Sequence, residues 1–237
     1  MSVSKTDKKK TVNVGRELFF RRYGIVFIFL FMVIVLSISS PVFRTTGNII
    51  GILQQISTNG ILALGIVFVI TAGGIDLSIG SMLALTSVII GEVLTLTGSI
   101  PLAALASIAA CGIFGLINGL MIAKFKLFPF VVTLATQLVI RGFAYLISGG
   151  QSKVIMEPTF RNIGLGRWGG IVPYSILILL AVAIFAYVVL HHTRFGRYVY
   201  AVGGNREAAF ASGVKVDKVV ILTYVLTPVL IAVFGVS

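Results

Sequence analysis

The sequence has few of the residues from which catalytic and metal sites are usually built. Its 237 residues include one cysteine and two histidines. Cys111 therefore has no partner in the chain for a disulfide bond or a thiolate zinc site. His191 and His192 have no cysteine or acidic residue beside them, and the sequence contains neither HExxH nor GxxxxGK[ST]. We therefore expect no catalytic residue, no bound metal and no cofactor in this chain.

Charged residues are also scarce. Asp, Glu, Lys and Arg make up 11% of the sequence, whereas apolar residues make up 57% and the mean hydropathy is +1.07. A soluble domain of this size would need more charged residues to cover its surface, and a lipid bilayer removes that requirement. This composition predicts an integral protein of the cell membrane.

Long uncharged segments occupy most of the chain. A helix of roughly 20 residues crosses the hydrocarbon core of a bilayer, whereas the strands of a membrane barrel are shorter and alternate in polarity. The sequence therefore predicts an all-α helix bundle with about seven transmembrane spans. The predicted spans cover approximately residues 23–43, 49–72, 77–96, 100–123, 127–147, 171–190 and 219–236.

The net charge of +12 is concentrated in a few segments. If the N-terminus is cytoplasmic, every basic cluster falls on the cytoplasmic side, as the positive-inside rule requires. The sequence thus predicts a cytoplasmic basic tail at 1–22 and a transmembrane domain at 23–237, with an external loop at 148–170 and a cytoplasmic loop at 192–218. A nucleic-acid patch would need a soluble domain to display it, so we expect no nucleic-acid partner.

One acidic residue interrupts an otherwise uncharged run. Asp76 lies in the stretch AGGIDLSIGS, Ala72–Ser81, and is the one charged residue of the sequence between positions 45 and 91. Gly73 and Gly74 suit the C-terminus of one helix, and Asp76 suits the N-cap of the next. We therefore predict a helix break at Gly73–Asp76 near the cytoplasmic side, with Asp76 as a structural cap. Binding of a coupling proton or ion, or a substrate contact or gating role, are the alternatives.

Polar side chains recur along one face of the fifth span. Thr133, Gln137 and Arg141 are spaced by four residues, which places them in a line along a helix. An arginine in the membrane costs about 2.5–3.5 kcal/mol on insertion scales, so we expect Arg141 to face the bundle interior, a water-filled path or an acid such as Glu92. Snorkelling of Arg141 to the interface is the alternative.

Two other spans carry features of helix packing. Gln54, Gln55 and Asn59 make the second span too polar to face lipid, so we predict that it lines a cavity or packs against polar neighbours. Gly115 and Gly119 form a GxxxG motif in the fourth span. Such a motif lets two helices approach closely.

The cytoplasmic loop contains a candidate docking helix. Asn205 can cap a helix of about two turns, and Gly213 can end it. So short a helix is only marginally stable alone. Because it carries Phe210 among small alanines, it suits the groove of a partner protein. An ordinary amphipathic loop at the lipid headgroups is the alternative.

Three stretches of the chain together resemble the permease subunit of the ribose-type family of ATP-binding-cassette sugar importers. These stretches are Gln54–Gly60 with Thr71–Ser81; Gly115–Gly119 with Phe130–Thr136 and Arg141–Gly142; and His192–Tyr198 with Gly203–Ala209 and Ser212–Val214. The resemblance covers nearly the whole chain beyond its N-terminal tail.

The resemblance implies an importer of a monosaccharide, such as a ribose-like pentose or a hexose. It implies pairing with a second permease subunit, identical or different, docking of a cytoplasmic ATPase that binds the ATP, and delivery of sugar by an extracytoplasmic binding protein. It places the ATPase-coupling segment at Gly203 to Val214. The coupling residues are then Gly203, Gly204, Asn205, Arg206, Glu207, Ala208, Ala209, Phe210, Ser212 and Gly213.

Two other interpretations remain open. Members of the resembled family continue for roughly another third of their length, whereas this sequence stops at Ser237 within an apolar run, so we expect a C-terminally truncated permease that could be non-functional. The other interpretation is an ion-coupled secondary transporter with Asp76, Glu92 or Arg141 as a relay. Such a transporter would carry a second, inverted copy of the broken helix, and the sequence contains no second copy.

Overall fold

Helices make up most of the described part of the chain. The computed structural model describes residues 5–151, 160, 162, 164, 166–170 and 172–234. Residue contacts divide the chain into an N-terminal unit, Met1–Ile52, and a larger unit, Leu53–Ser237.

The N-terminal unit is built around one long helix. Helix α1 runs from Lys5 to Ser39, so the basic segment predicted as a tail is helical from Lys5 onwards. From Arg22 to Ser39 the helix is apolar and none of it is buried, as expected for a helix that faces lipid. A 3₁₀-helix, Pro41–Arg44, follows. Asn48 Nδ2 donates a hydrogen bond of 3.0 Å to the carbonyl oxygen of Phe43.

Helix α2 starts in the N-terminal unit and continues into the larger unit, which contains all later elements. The helices are α2 (Thr46–Thr71), α3 (Ile79–Thr97), α4 (Ile100–Ala123), α5 (Pro129–Ser148), α6 (Tyr174–His192), α7 (Arg194–Gly204), α8 (Arg206–Ala211) and α9 (Val216–Phe234). Two short antiparallel strands, β1 (Arg167–Trp168) and β2 (Val172–Pro173), precede α6.

Seven helices of the described chain, α1 to α6 and α9, are long and apolar enough to cross a membrane. This confirms the predicted number of spans and the helical fold class. The gap between α2 and α3 also confirms the predicted break at Gly73–Asp76. Of the predicted external loop, residues 152–159, 161, 163 and 165 lie outside the described residues. The same is true of residue 171 and of 235–237 at the ends of the predicted sixth and seventh spans.

Helix ends follow local sequence. The turn between α3 and α4 starts at Gly98, whose φ of 62° is a left-handed conformation that glycine adopts without strain. Ser99 then caps α4, because its side chain accepts a hydrogen bond from the backbone N–H of Leu102. Gly149, with φ of 63°, ends α5 in the same way as Gly98 ends α3.

The core of the larger unit forms where α9 packs against α4. A Cβ added to Gly115 would lie 2.6 Å from Pro228 Cγ, and one added to Gly119 would lie 2.9 Å from the Cα of Ile221. The GxxxG motif therefore allows the close helix approach that the sequence predicts. The main buried cluster includes Phe68, Ile122, Ala186, Val199 and Tyr224, and a second one includes Met82, Leu85, Cys111 and Ile140.

Candidate functional site

The α2–α3 linker, residues 72–78, begins with a glycine-dependent helix end. Gly73 has a φ of 78°, and its N–H donates to the carbonyl of Ile70 over 2.9 Å. The N–H of Gly74 donates to the carbonyl of Val69 over 2.8 Å. These two bonds form a Schellman motif, in which the left-handed residue is usually glycine. The two glycines thus end α2 as the sequence predicts.

Asp76 closes the other side of the linker. Its Oδ1 accepts hydrogen bonds from the backbone N–H of Ser78 over 2.8 Å and from the Ser78 hydroxyl over 2.6 Å. The N-cap of α3 is Ser78 and not Asp76, so the predicted N-cap was two residues too early. The carboxylate forms an Asx turn onto Ser78 and does not reach the first free N–H groups of the helix. Asp76 still has the structural role of initiating α3.

Asp76 is only 2% exposed although it lies between two spans. Burial raises the pKa of its carboxyl group above the ordinary value of 3.8, and the two hydrogen bonds from Ser78 act in the opposite direction.

A chain of buried polar side chains connects the linker to two membrane helices. Asn118 Nδ2, on α4, donates to the Ser78 hydroxyl over 3.3 Å, and the Thr136 hydroxyl, on α5, donates to Asn118 Oδ1 over 2.6 Å. Asn118 and Ser78 have no exposed surface. We call Asp76, Ser78, Asn118 and Thr136 the buried polar chain. Because a buried polar group is costly unless it is hydrogen-bonded, this chain specifies how the three elements meet.

Helix α9 also contacts the linker. The hydroxyl of Tyr224 donates a hydrogen bond of 3.0 Å to the carbonyl oxygen of Ile75. The Tyr224 hydroxyl also lies where a side chain at Gly74 would be, since a Cβ there would come within 2.6 Å of Tyr224 Oη. The linker is therefore attached to α9 by one polar contact next to Asp76.

The predicted docking helix is present as α8. Asn205 is its N-cap, and the side-chain Oδ1 accepts a hydrogen bond of 2.9 Å from the N–H of Ala208. Gly213, with φ of 83°, follows the helix, and the N–H of Val214 donates to the carbonyl of Ala209 over 3.0 Å. Ala209 is buried, whereas 74% of Phe210 is exposed. The local sequence therefore caps both ends of α8 and presents one large apolar side chain.

The end of α7 lies directly against the α2–α3 linker. A Cβ on Gly203 would overlap the carbonyl oxygen of Thr71, and a Cβ on Gly73 would lie 3.7 Å from the Cα of Gly203. Only a residue without a side chain fits at position 203. The loop that carries α8 and the linker that carries Asp76 are thus in backbone contact.

An ion-pair group joins α8 to the start of α9 and to the α4–α5 connection. Asp217, in the first turn of α9, accepts from Lys126 Nζ over 2.8 Å, and Arg206 Nη2 lies 3.7 Å from the same oxygen. These residues, with Lys124, Lys215 and Lys218, line a cavity of about 580 Å³ beside Phe210. The surface around α8 is therefore basic. Among the residues that the structure describes, no group of three His, Cys, Asp or Glu could hold a metal ion.

The polar side chains predicted for the fifth span do not all face the interior. Thr133 is buried and donates to the carbonyl of Pro129, Gln137 is half-buried, and Arg141 is exposed. On α2, Gln54 is half-buried, whereas Gln55 and Asn59 are exposed. Within the described ranges, no hydrogen bond joins any of these side chains to Asp76. Pairing of Arg141 with Glu92 stays a prediction.

Four residues of this site escaped the sequence predictions: Ser78, Asn118, Thr136 and Tyr224. Each is a polar side chain within or beside an apolar segment. Asn118 stands next to Gly119 of the GxxxG motif, and that position could have placed it on a packed helix face. Partners on other helices could not be read from spacing alone, because the contacts join residues up to 149 positions apart.

Comparison with known proteins places the chain among membrane transport components. A family model described as a permease component of branched-chain amino acid transport systems matches residues 48–236. The chain is 36% identical over 212 residues to the ribose import permease protein RbsC of Escherichia coli (strain K12), covering 87% of this chain and 65% of that protein. It is 41% identical over 206 residues to RbsC of Bacillus subtilis (strain 168), covering 86% and 64%.

A third relative is the L-arabinose transport system permease protein AraH of Escherichia coli (strain K12). It is 35% identical over 228 residues, which cover 96% of this chain and 69% of AraH. The chain thus spans about two thirds of the length of the relatives that it matches. No solved structure is a significant match to the chain.

Proposed function

The chain belongs to the family of permease components of branched-chain amino acid transport systems. From this membership and from the similarity to ribose and L-arabinose permeases, we propose that it is the permease subunit of an ATP-driven monosaccharide importer. The chain is a multi-pass membrane protein with seven helices able to cross a bilayer. The family is one of transport permeases and not of enzymes, and its members carry no cofactor of their own.

The observation that carries the proposal is the backbone contact between Gly203 and Thr71. A transporter driven by a separate ATPase needs a surface for that ATPase and a mechanical connection from the surface to its membrane helices. Helix α8 presents Phe210 for docking, and the end of α7 that precedes it lies against the linker between two spans. The arrangement has the form that such a connection requires.

The substrate proposal follows the relatives. The relatives are named for ribose and L-arabinose, which are both five-carbon sugars. We propose a ribose-like pentose or a hexose as substrate, brought by an extracytoplasmic binding protein. ATP would be bound by the ATPase partner.

A second permease subunit, of the same or a different sequence, would complete the transport path. Arg141, Gln55 and Asn59 are exposed within membrane helices in the single chain, where polar groups are costly against lipid. Contact with another subunit or with a water-filled path between subunits would relieve that cost. With Gln54, Thr133 and Gln137 they are our candidates for path-lining residues, and Asp76 stabilises the helix break through its Asx turn onto Ser78.

The proposed orientation puts the N-terminus and α8 in the cytoplasm. Basic residues cluster around α8 at Lys124, Lys126, Arg206, Lys215 and Lys218, as is usual for cytoplasmic loops. The predicted basic tail and the predicted loop at 192–218 would then share one side of the membrane with the ATPase.

Docking is tested by changing the surface of α8. We expect Phe210→Asp or Glu207→Arg to abolish co-purification of the ATPase while the chain still inserts into the membrane. Trp168→Asp is the control, because Trp168 is 65% exposed on β1, in the predicted external loop, compared with 74% for Phe210. Undiminished ATPase capture by Phe210→Asp would contradict the docking proposal.

The energy source is tested by sugar uptake into cells or vesicles. We expect uptake to stop when ATP is depleted and to survive collapse of the proton gradient. The reverse pattern would indicate an ion-coupled secondary transporter. If the chain shows no uptake and also fails to associate with the ATPase, it is a non-functional fragment.

A further inference from the structure

We propose that Tyr224 is a positioning residue that fixes the α2–α3 linker to α9, so that a displacement of α7 and α8 reaches the buried polar chain. The inference rests on the proposed function, because it assigns the route by which ATPase docking acts on the membrane helices. It concerns residues that would contact neither the ATPase nor the sugar.

The linker is held at two points. At one point the backbone of Gly203 lies against Thr71 and the first linker residue, Ala72, whose carbonyl carbon would be 3.3 Å from a Cβ on Gly203. At the other the hydroxyl of Tyr224 donates a hydrogen bond of 3.0 Å to the Ile75 carbonyl. Between these points Gly74 has no side chain, and the Tyr224 hydroxyl occupies the adjacent space. The linker therefore has one contact with the end of α7 and one with α9.

Both contacts lead back to the docking helix. Gly203 is two residues before Asn205, which caps α8. On the other side, α9 starts after a short turn in which Val214 donates to Ala209 and Val216 donates to Val214. Tyr224 lies about 12 Å along α9 from Val216 at 1.5 Å per residue. A shift of α8 would thus move both holding points of the linker.

On the membrane side the linker continues into hydrogen bonds between helices. Asp76 follows Ile75, and from Asp76 the bonds run through Ser78 to Asn118 on α4 and Thr136 on α5. Packed side chains, hydrogen-bond networks and stiff helices carry energetic coupling between distant sites. The connection from α8 to α5 is contiguous, and α9 enters it through the single hydrogen bond of the Tyr224 hydroxyl.

A second buried hydroxyl on α9 serves as a comparison for a purely structural role of the Tyr224 hydroxyl. The Thr227 hydroxyl, one turn further along α9, donates 2.8 Å to the carbonyl of Gly65 on α2 and is fully buried. It joins α9 to α2 itself, one element before the linker, and makes no contact with the linker carbonyl that Tyr224 binds. Tyr224→Phe and Thr227→Val each remove one hydroxyl and keep the remaining side chain shape. A difference between them isolates the linker contact.

The first test measures sugar taken up per ATP hydrolysed by the chain assembled with its ATPase and binding protein in vesicles. We expect Tyr224→Phe to lower this ratio about tenfold, within the usual range of allosteric coupling, while ATPase capture and hydrolysis stay near wild type. Thr227→Val should keep the wild-type ratio. A wild-type ratio in Tyr224→Phe, or an equal loss in Thr227→Val, would overturn the inference.

The second test does not depend on transport. Hydrogen–deuterium exchange of the chain alone in lipid nanodiscs reports local opening of the backbone. We expect Tyr224→Phe to accelerate exchange about tenfold both in residues 72–78 and in α8, and Thr227→Val to do so in neither. Acceleration confined to the linker would overturn the inference. If the wild-type assembly takes up no sugar, the proposed function fails and the exchange result alone decides the inference.

Discussion

Gly119 on α4 lies against the backbone of Ile221 on α9, so that a Cβ at position 119 would come within 2.9 Å of the Ile221 Cα. Backbone atoms cannot rotate away as a flexible side chain can. This close contact between α4 and α9 therefore depends on a missing side chain.

We expect Gly119→Ala to lower the free energy of unfolding by about 1–3 kcal/mol, the usual cost of overpacking. Thermal unfolding of purified protein in one detergent measures this. Gly142→Ala on α5 is the control, because a Cβ there would have no atom within 4 Å, and alanine is the better helix former. A melting temperature for Gly119→Ala at or above that of the wild type would contradict the packing.

The structural role of Asp76 is tested by two substitutions. Asp76→Asn keeps an oxygen that can accept both hydrogen bonds from Ser78, so sugar uptake should persist. Asp76→Ala removes the acceptor and should cost about 1–3 kcal/mol of stability, since it leaves buried donors unpaired. Loss of uptake in Asp76→Asn with unchanged stability would favour the alternative in which Asp76 binds a proton or ion.

The same carboxyl group predicts a pH dependence of stability. Burial raises the pKa of Asp76, so between its ordinary value of 3.8 and the raised value the folded chain binds more protons than the unfolded chain. The contribution to stability is present below pH 3.8 and is lost as the pH rises through the raised pKa. The difference in melting temperature between wild type and Asp76→Asn should fall across this window. A difference that is flat with pH would refute the prediction.

The N-cap of α8 should control how well that helix forms. We expect Asn205→Ala to destabilise it by about 1 kcal/mol, because the N–H of Ala208 loses its acceptor. Faster hydrogen exchange in residues 206–211 and weaker ATPase capture would report the loss. Asn205→Asp retains the acceptor oxygen and should behave like wild type. Equal exchange in all three proteins would show that the cap is not needed.

The ion pair between Lys126 and Asp217 should contribute little to global stability. The two side chains are 62% and 36% exposed, and an exposed pair is usually worth less than about 1 kcal/mol. We expect Asp217→Asn to lower the melting temperature slightly, and by less at high salt, which screens exposed charges. A large loss that does not change with salt would contradict this view of the pair.

Membrane orientation can be measured with introduced cysteines. Cys111 is fully buried, so the background from the native thiol should be small. With an impermeant thiol reagent on intact cells, we expect Thr97→Cys to react and Ser212→Cys, next to α8, to be protected. Thr97 ends α3, and with a cytoplasmic N-terminus the alternation of spans places that end outside. Permeabilising the cells should expose Ser212→Cys. Labelling of Ser212→Cys in intact cells would reverse the proposed orientation.

Sequence reasoning recovered features that depend on local chemistry. The spans, the end of α2 at Gly73 and the cap at Asn205 follow from runs of apolar residues and from glycine and asparagine geometry. The N-cap of α3 was predicted two residues too early, because Ser78 and Asp76 are both good cap residues and their relative roles depend on burial. The fit was best where neighbours in sequence decide the structure.

Contacts between segments far apart in the chain could not be predicted from the sequence. Nothing near Tyr224 indicates that its hydroxyl meets the carbonyl of Ile75, and nothing near Gly203 indicates Thr71 as a neighbour. The spacing of Thr133, Gln137 and Arg141 gave their common helix face. It did not give what that face meets, which depends on how neighbouring helices pack.

The backbone contact between Gly203 and Thr71 limits how far the loop that carries α8 can move relative to the α2–α3 linker. Where two main chains touch without a side chain between them, no rotamer can change to absorb a small movement. A displacement of the loop is therefore passed to the linker almost undiminished. The surrounding positions can accept more substitutions than position 203 itself.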